Sequence, residues 1–233
     1  MRFVHLFAKP CTCKGYIGRL LKERYEDAIE VIGTGDLVRK ALGDDGDFRK
    51  KYGSKVKGRY LVPDIVVYRL LQERLEQIRN QESVVVLDGL GRKACQVKWA
   101  VKAGLLKQGE SIALVFNAKN AVCKMNYHDR RLRQPDGQRS DDEEYLDFCN
   151  GLEIFRNNWG TVWAALLRIN MRVCQIDANR DIKTEVFPDV VAQIETLMPR
   201  LVAPESKAID LICRQPIPGL DSRARLSLQP PRA

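Results

Sequence analysis

The sequence predicts an α/β fold, a doubly wound, parallel, five-stranded sheet with helices on both faces. Three observations support this prediction. Short apolar runs alternate with helical stretches over residues 1–200, several of these runs are continuous and rich in β-branched residues, and polar residues follow where the runs end. Continuous apolar strands are typical of parallel sheets, because helices bury both faces of such a sheet.

Five stretches have the character of a buried strand. They are Phe3–Phe7, Ala28–Ile32, Ser83–Leu87, Ile112–Phe116 and Arg172–Ile176. Ligands bind beyond the carboxyl ends of the strands in open sheets of this kind. We therefore expect a site among the polar segments that follow four of the strands, namely Cys11–Lys14, Gly33–Asp36, Asp88–Arg92 and Asp177–Arg180.

Helical periodicity fills the intervals between the strands. The stretch Tyr16–Tyr25 places Ile17, Leu20 and Leu21 on one face. A further helix opens near Thr34, and Asp36 is a candidate for its N-cap. Other predicted helices are Asp64–Asn80, Arg92–Ala103, Glu143–Ile169 and Lys183–Met198.

Composition limits the classes of protein that the chain can be. A length of 233 residues suits one sizeable core. No apolar run is long enough for a transmembrane helix, and Met1–Phe7 is too short for a signal peptide. An odd number of cysteines, seven, indicates reduced thiols and a cytoplasmic location. The net charge of +9 allows phosphorylated ligands or nucleic acid as partners, and we expect no membrane partner and a monomer.

The composition changes after residue 200. Residues 203–233 contain five of the ten prolines and several basic residues. We predict one domain over residues 1–200 and a basic, Pro-rich, disordered tail over 201–233. The tail could contact RNA phosphates, but a solvated end is the favoured interpretation.

A candidate phosphate-binding loop lies between the first strand and the first helix, over Ala8–Gly15. Such a loop cradles phosphates with backbone N–H groups and a helix N-terminus, while a lysine, here Lys14, supplies charge. Glycine is usual where the backbone turns sharply, yet Ala8, Cys11 and Cys13 stand at those places. By itself this motif favours an ordinary turn.

Three further segments carry candidate site residues. Asp88, after the strongest strand, can hold a hydrated magnesium ion, and Arg92 and Gln96 follow it one helical turn apart. The segment Thr34–Arg39 opens a helix after a strand. A basic cluster can neutralise a phosphoryl group in transfer, with aspartates to orient it. Its members are Arg130, Arg131, Arg133 and Arg139, and the aspartates are Asp141 and Asp142.

In this order, the segments resemble the adenylate kinase family over about Met1–Arg200. The matching motifs are TGDLVR at residues 34–39, LVPD at 61–64, DGLGR at 88–92 with Gln96, and RSDD at 139–142. The resemblance implies a P-loop NTPase-like fold with an NMP-binding segment over about 34–67 and a short, zinc-free lid over about 126–141. It also implies transfer of the γ-phosphoryl of MgATP to AMP, giving two ADP, and a role in nucleotide homeostasis.

Roles follow from the resemblance where residues match. Lys14 would contact the ATP phosphates, and Asp88 would support Mg²⁺ through water. On the donor side the loop residues would be Cys11, Thr12, Cys13, Lys14, Gly15 and Tyr16. AMP would be held by Thr34, Arg39, Gly89, Arg92 and Gln96. The lid clamp would consist of Arg133, Arg139, Asp141 and Asp142. Thr34 and Gln96 favour AMP over pyrimidine nucleotides.

Departures from the family pattern leave other interpretations open. Cysteines replace the loop glycines, Tyr16 stands where Thr or Ser normally ligates magnesium, and Asn150 stands where the family has an arginine. Gly91 replaces a proline, which is a milder change. One alternative is a catalytically weak, adenylate kinase-like protein that acts as a nucleotide sensor or structural subunit. Another is a different small-molecule phosphotransferase on the same fold.

Overall fold

The structure, a computed structural model, describes residues 1–58, 60–78, 83–133 and 145–197. Its strands are β1 (Arg2–Ala8), β2 (Ile29–Gly33), β3 (Val84–Asp88), β4 (Ser111–Asn117) and β5 (Arg172–Asp177). All neighbouring strands pair in parallel, in the order β2-β3-β1-β4-β5. The five-stranded parallel sheet and the doubly wound fold class are confirmed. The tail predicted over 201–233 lies outside the described residues.

Eight α-helices connect and flank the described strands. They are α1 (Lys14–Tyr25), α2 (Thr34–Asp44), α3 (Gly46–Lys57), α4 (Asp64–Glu76), α5 (Ala94–Lys102), α6 (Asn120–Arg133), α7 (Tyr145–Arg168) and α8 (Phe187–Leu197). A 3-10 turn covers Glu26–Ala28, and a π-helical turn covers Ile182–Val186. The helix predicted over 183–198 is therefore two segments. Asp181 caps the first, because its Oδ1 accepts from the backbone N–H of Lys183 at 3.0 Å.

The predicted cap at Asp36 is wrong. Helix α2 begins at Thr34, and its N-cap residue is Gly33, which has no side chain to accept a hydrogen bond. Asp36 lies in the first turn, where it pairs with Arg39 one turn later. The error is one of register. Gly33 ends β2, so the N-cap lies three residues before the predicted cap at Asp36.

The core explains why the apolar runs became strands. Residues Val84–Leu87 of β3 are 0–3% exposed, so both faces of this central strand are covered. On one face, Phe7 and Leu87 share a cluster with Val97 of α5 and Leu166 of α7. Helices α1 and α8 contact each other, and the Tyr25 hydroxyl donates to Glu195 Oε1 at 2.6 Å.

Strand order determines where a ligand crevice can form. The chain runs from β1 outward to β2, returns to β3, and then crosses to β4 on the other side of β1. The direction of winding reverses at β1, and in open α/β sheets ligands bind beyond the strand ends at such a point. Among the described residues, no helix combines the length and apolarity needed to cross a membrane.

Candidate functional site

The loop after β1 lies at this reversal point. Leu6 of β1 is in register with Asp88, the last residue of β3, and Gly33 of β2 is in register with the same aspartate. The carboxyl ends of three strands therefore bring the loop, Asp88 and the start of α2 to one edge of the sheet. The register places these segments at the carboxyl edge of the sheet, where the sequence predicts a ligand crevice.

The loop adopts a backbone conformation that normally favours glycine. Cys11 has φ 60° and Cys13 has φ 62°, which are left-handed values at two of the places where glycine was expected. This conformation costs a residue with a Cβ atom roughly 1–2 kcal/mol. The turn leads directly into α1, where the N–H groups of Tyr16 and Ile17 donate to Cys13 O at 2.9 and 3.0 Å. The loop thus turns sharply into a helix N-terminus despite its cysteines, and such strain is concentrated at functional sites.

Lys14, the first residue of α1, points back into the loop. Its Nζ donates to Lys9 O at 3.3 Å and to Ala8 O at 3.5 Å, and it lies 3.8 Å from Asp88 Oδ1. Burial lowers the pKa of Lys14; Asp88 opposes this shift, and the positive charge of Arg92 adds to it. The site therefore holds a desolvated ammonium group with one weak ion-pair partner. An anion arriving at the loop would stabilise this charge.

Helix α6 closes the other side of the loop. Asn126 Nδ2 donates to Cys11 O at 3.0 Å, and Arg130 Nη2 donates to Cys11 Sγ at 3.2 Å. These two residues are one helical turn apart, so they share a face of α6. The neighbouring Arg131 contacts the Tyr127 hydroxyl at 3.2 Å instead. Within the basic cluster, Arg130 is thus an arginine that reaches the loop.

Sequence reasoning assigned the clamp to other residues. Arg133 is the last residue of α6, and its side chain lies outside the described part of the structure. Arg139, Asp141 and Asp142 also lie outside the described residues. Arg130 was noticed only as a member of the cluster. The four-residue spacing between Asn126 and Arg130 places both on one face of a helix, and this spacing was the sequence signal that could have identified Arg130.

Thr34 and Gly89 form a close contact on the opposite side of Asp88. Thr34 is 5% exposed, and its hydroxyl donates to Asp88 O at 3.3 Å. Gly89 has φ +84°, and a Cβ atom there would lie 2.8 Å from Thr34 Oγ1. Only glycine fits this turn, because a side chain would be both strained and in collision. The structure therefore brings together Thr34, Gly89 and Asp88, while their roles in binding stay a prediction.

Gln96 joins the turn after β3 to helix α4. Its Oε1 accepts from the N–H groups of Gly91 at 3.1 Å and Arg92 at 2.8 Å, and its Nε2 donates to Asp64 Oδ1 at 2.8 Å. Asp64 also accepts from Lys93 Nζ at 3.3 Å. Burial would raise the pKa of Asp64, but hydrogen bonds from Cys95 and Gln96 and the Lys93 charge outweigh it and lower the pKa. Asp64 was not predicted as a site residue, although it belongs to the LVPD motif.

The chemistry around Asp88 fits a hydrated magnesium ion. The Asp88 side chain is 23% exposed and supplies hard carboxylate oxygen beside the loop. Tyr16 differs from a threonine or serine ligand, because its ring lies 5.4 Å from the Arg19 guanidinium and 6.0 Å from Lys183 Nζ. The described residues contain no group of three or more His, Cys, Asp or Glu that could hold a metal. An ion here would depend on one carboxylate, water and ligand phosphates.

A left-handed loop at a helix N-terminus, a largely buried lysine and a carboxylate at the reversal point are typical of phosphate-binding α/β proteins. No protein-family model matches the chain. The chain is similar to an adenylate kinase of Azobacteroides pseudotrichonymphae, with 25% identity over 83% of this chain and 97% of that protein. It is also similar to adenylate kinase 1 of a Nostoc species, with 32% identity over 64% of this chain and 76% of that protein. An adenylate kinase of Moorella thermoacetica is 34% identical over 50% of this chain and 52% of that protein.

The chain belongs to the adenylate kinase family. This assignment confirms the resemblance seen in the motifs and makes the chain a kinase-like, nucleotide-binding protein.

Proposed function

We propose that the chain transfers the γ-phosphoryl group of MgATP to AMP. One observation carries this proposal: Asp88 and Lys14 lie between a loop that Arg130 contacts and a turn that Thr34 contacts. The two halves thus adjoin Asp88, with Lys14 near its carboxylate and Thr34 on its backbone carbonyl. A donor and an acceptor phosphate bound on either side would have their reacting atoms next to each other.

The donor half would hold ATP phosphates between the loop and α6. Lys14 and Arg130 would neutralise charge, and the N–H groups at the start of α1 would donate to phosphate oxygens. Bound Mg²⁺ would supply further charge neutralisation, with Asp88 holding its water ligands. In this scheme the bond between the γ-phosphorus and the β,γ-bridging oxygen breaks, and a bond to an AMP phosphate oxygen forms. No covalent intermediate with the protein is required, because positioning and charge supply the catalysis.

The acceptor half would hold AMP through Thr34, Arg39 and Arg92, with Gln96 at the base. Gln96 Oε1 already accepts two backbone hydrogen bonds, and Asp64 orients its Nε2. Nε2 keeps one hydrogen that no described residue accepts, so Gln96 can only donate to a base. Adenine N1 is an acceptor, whereas guanine carries a hydrogen at N1. A donor in this position is therefore compatible with adenine as the base of the acceptor nucleotide.

The segments that would close over the nucleotides remain proposals. We propose the NMP-binding segment over about 34–67, which includes α2 and α3, and the lid over about 126–141. Closure of both would exclude water from the transfer. The clamp roles of Arg133, Arg139, Asp141 and Asp142, a cytoplasmic location and a monomeric state are part of the same proposal.

A specific observation favours a second function, a nucleotide-binding protein with weak turnover. The Tyr16 ring is engaged with Arg19 and Lys183, at the position where the family supplies a magnesium ligand. Asn150 stands at the position of a family arginine. A transition-state arginine can be worth about 10³–10⁵ in rate. Nucleotide binding would then be retained while the rate of phosphoryl transfer falls.

A coupled assay with MgATP and AMP, together with AMP calorimetry, separates the two functions. We expect turnover that Lys14→Ala abolishes and that Arg130→Ala lowers by about tenfold or more, which corresponds to a lost charge-assisted hydrogen bond. Arg131→Ala is the matched control, since Arg131 contacts Tyr127 rather than the loop. Background turnover with intact AMP binding would favour the second function. Equal activity of Arg130→Ala and Arg131→Ala would contradict the donor assignment.

A further inference from the structure

A cavity of about 390 Å³ opens beside the donor loop. It lies at the carboxyl ends of β4 and β5, against the middle of α7, and Lys9 is the one lining residue that also belongs to the donor loop. Its lining consists of Lys9, Val115, Phe116, Asn117, Ala118, Lys119, Phe155, Trp159 and Asn179. This size falls within the roughly 300–1,000 Å³ that small-molecule sites occupy.

One wall of the cavity is aromatic, and Trp159 in this wall packs against the core. Phe155 and Trp159, one turn apart on α7, stack with ring centroids 5.1 Å apart and an angle of 16° between their planes. Behind them, Trp159 lies 6.4 Å from the Phe7 ring and 5.8 Å from the Trp163 ring. Both wall residues are only partly buried. Their rings therefore offer a partly exposed aromatic surface on which a planar group can stack.

The charged residues that line the cavity are two lysines. Lys9 Nζ donates to Ala118 O at 2.8 Å and to Asn120 Oδ1 at 2.9 Å, which leaves one hydrogen that no described residue accepts. For the Lys119 side chain, the described residues provide no hydrogen-bond acceptor. The carboxylate of Asp177 attracts Lys119, yet it accepts hydrogen bonds from the N–H and Nδ2 of Asn179 and does not line the cavity.

The rim and the donor loop are linked through Lys9. The backbone N–H of Lys119 donates to Asn179 Oδ1 at 2.7 Å, so the β4 and β5 ends are tied together at the rim. Lys9 O accepts from Lys14 Nζ at 3.3 Å and from the Thr12 hydroxyl at 2.9 Å. A ligand that engages the Lys9 ammonium would therefore act on the residue whose carbonyl holds Lys14.

We infer that this cavity is a second ligand site, which takes a planar aromatic molecule carrying an anionic group. The ring stacks on Phe155 and Trp159, and the anion contacts Lys9 and Lys119. Occupancy changes the affinity of the donor loop for ATP, because Lys9 belongs to both sites. By linkage, ATP changes the affinity of the cavity by the same factor.

The binding test uses 1-naphthyl phosphate as the probe and neutral 1-naphthol as its isostere, with the full chain and no nucleotide. We expect saturable binding of the phosphate by calorimetry, accompanied by quenching of tryptophan fluorescence, and weaker binding of the naphthol. Lys119→Gln weakens binding of the phosphate by about threefold or more but leaves naphthol unchanged. Phe155→Leu weakens both by roughly threefold to tenfold. Lys102→Gln, on the exposed end of α5, is the control and has no effect.

Two results would overturn the inference. One is the absence of saturable binding, or binding that neither Lys119→Gln nor Phe155→Leu alters. The other is simple competition, in which the apparent Kd of naphthyl phosphate keeps rising as the ATP concentration rises. Competition would mean that the probe occupies the donor site. An apparent Kd of the probe that reaches a plateau at high ATP concentration supports two coupled sites. Because binding is measured without turnover, failure here leaves the proposed kinase activity untouched.

Discussion

Restoring the family's proline at position 91 is expected to damage this protein. Gly91 stands in DGLGR where the family pattern has proline, which from the sequence alone is a mild change. In the structure Gly91 has φ +87°, whereas proline holds φ near −65°. The Gly91 N–H also donates to Gln96 Oε1 at 3.1 Å, and proline has no such hydrogen. Gly91→Pro therefore conflicts with the local backbone in two ways.

The magnitude follows from the contacts. A Cβ atom at Gly91 would lie 2.5 Å from Phe7 Cε1, and Phe7 is 4% exposed, so its ring has little room to move. Overpacking of a core costs typically about 1–3 kcal/mol. A left-handed residue with a side chain costs roughly 1–2 kcal/mol, and the lost hydrogen bond about 0.5–1.5 kcal/mol. The substitution also reduces the conformational entropy of the unfolded chain, which stabilises the fold by about 0.4–1 kcal/mol. Together these ranges give a net loss of roughly 1.5–6 kcal/mol for Gly91→Pro and, because alanine keeps the hydrogen bond, a smaller one of roughly 1–4.5 kcal/mol for Gly91→Ala.

Thermal and urea unfolding measure this prediction. A loss of about 3 kcal/mol lowers Tm by roughly 6–12 °C in a domain of this size. AMP binding should weaken as well, because the turn carries Arg92 and is held by Gln96. If Gly91→Pro unfolds within about 2 °C of the parent chain, the left-handed turn at residue 91 is wrong. Equal stability of Gly91→Ala and the parent chain would contradict the predicted collision with Phe7.

Three further predictions concern stability. His5 is buried, and burial lowers its pKa from 6.5 to about 4. Because the unfolded chain therefore takes up the proton at a higher pH than the folded chain, the free energy of unfolding falls between pH 6.5 and pH 4 by up to about 3 kcal/mol. His5→Phe should remove this pH dependence in urea unfolding, and an unchanged pH dependence would refute the prediction. The lowered pKa of Lys14 means that its buried charge destabilises the fold. Lys14→Met should therefore raise the Tm measured by calorimetry while it abolishes phosphoryl transfer, and a lower Tm would contradict this. A Cβ atom at Gly160, within α7, would have no other atom within 4 Å. Gly160→Ala should therefore raise the free energy of unfolding in urea by about 1 kcal/mol. A lower free energy of unfolding would show that another part of the protein covers α7 at this position.

Local pattern was sufficient for the sheet and for the edge at which the candidate site lies. Strand residues such as Val84–Leu87 are buried on both faces, so their continuous apolar character predicts a central parallel strand. Motifs on consecutive strand ends then had to meet, since parallel strands share one carboxyl edge. The segments that contain Thr34 and Asp88 were candidates for this reason, whereas the AMP-binding role of Thr34 rests on the family resemblance. Side chains that reach the site from α6 carry no comparable local signal.

The sequence by itself determined the order of the elements, the edge at which the polar segments meet and the family to which the chain belongs. Only the tertiary structure decided that Cys11 and Cys13 adopt left-handed turns, that Arg130 contacts the loop, and that Gln96 bridges to Asp64. The physical reason is the range of the interactions. Periodicity and burial act between near neighbours in the chain, whereas a hydrogen bond from Arg130 to Cys11 joins residues that are 119 positions apart.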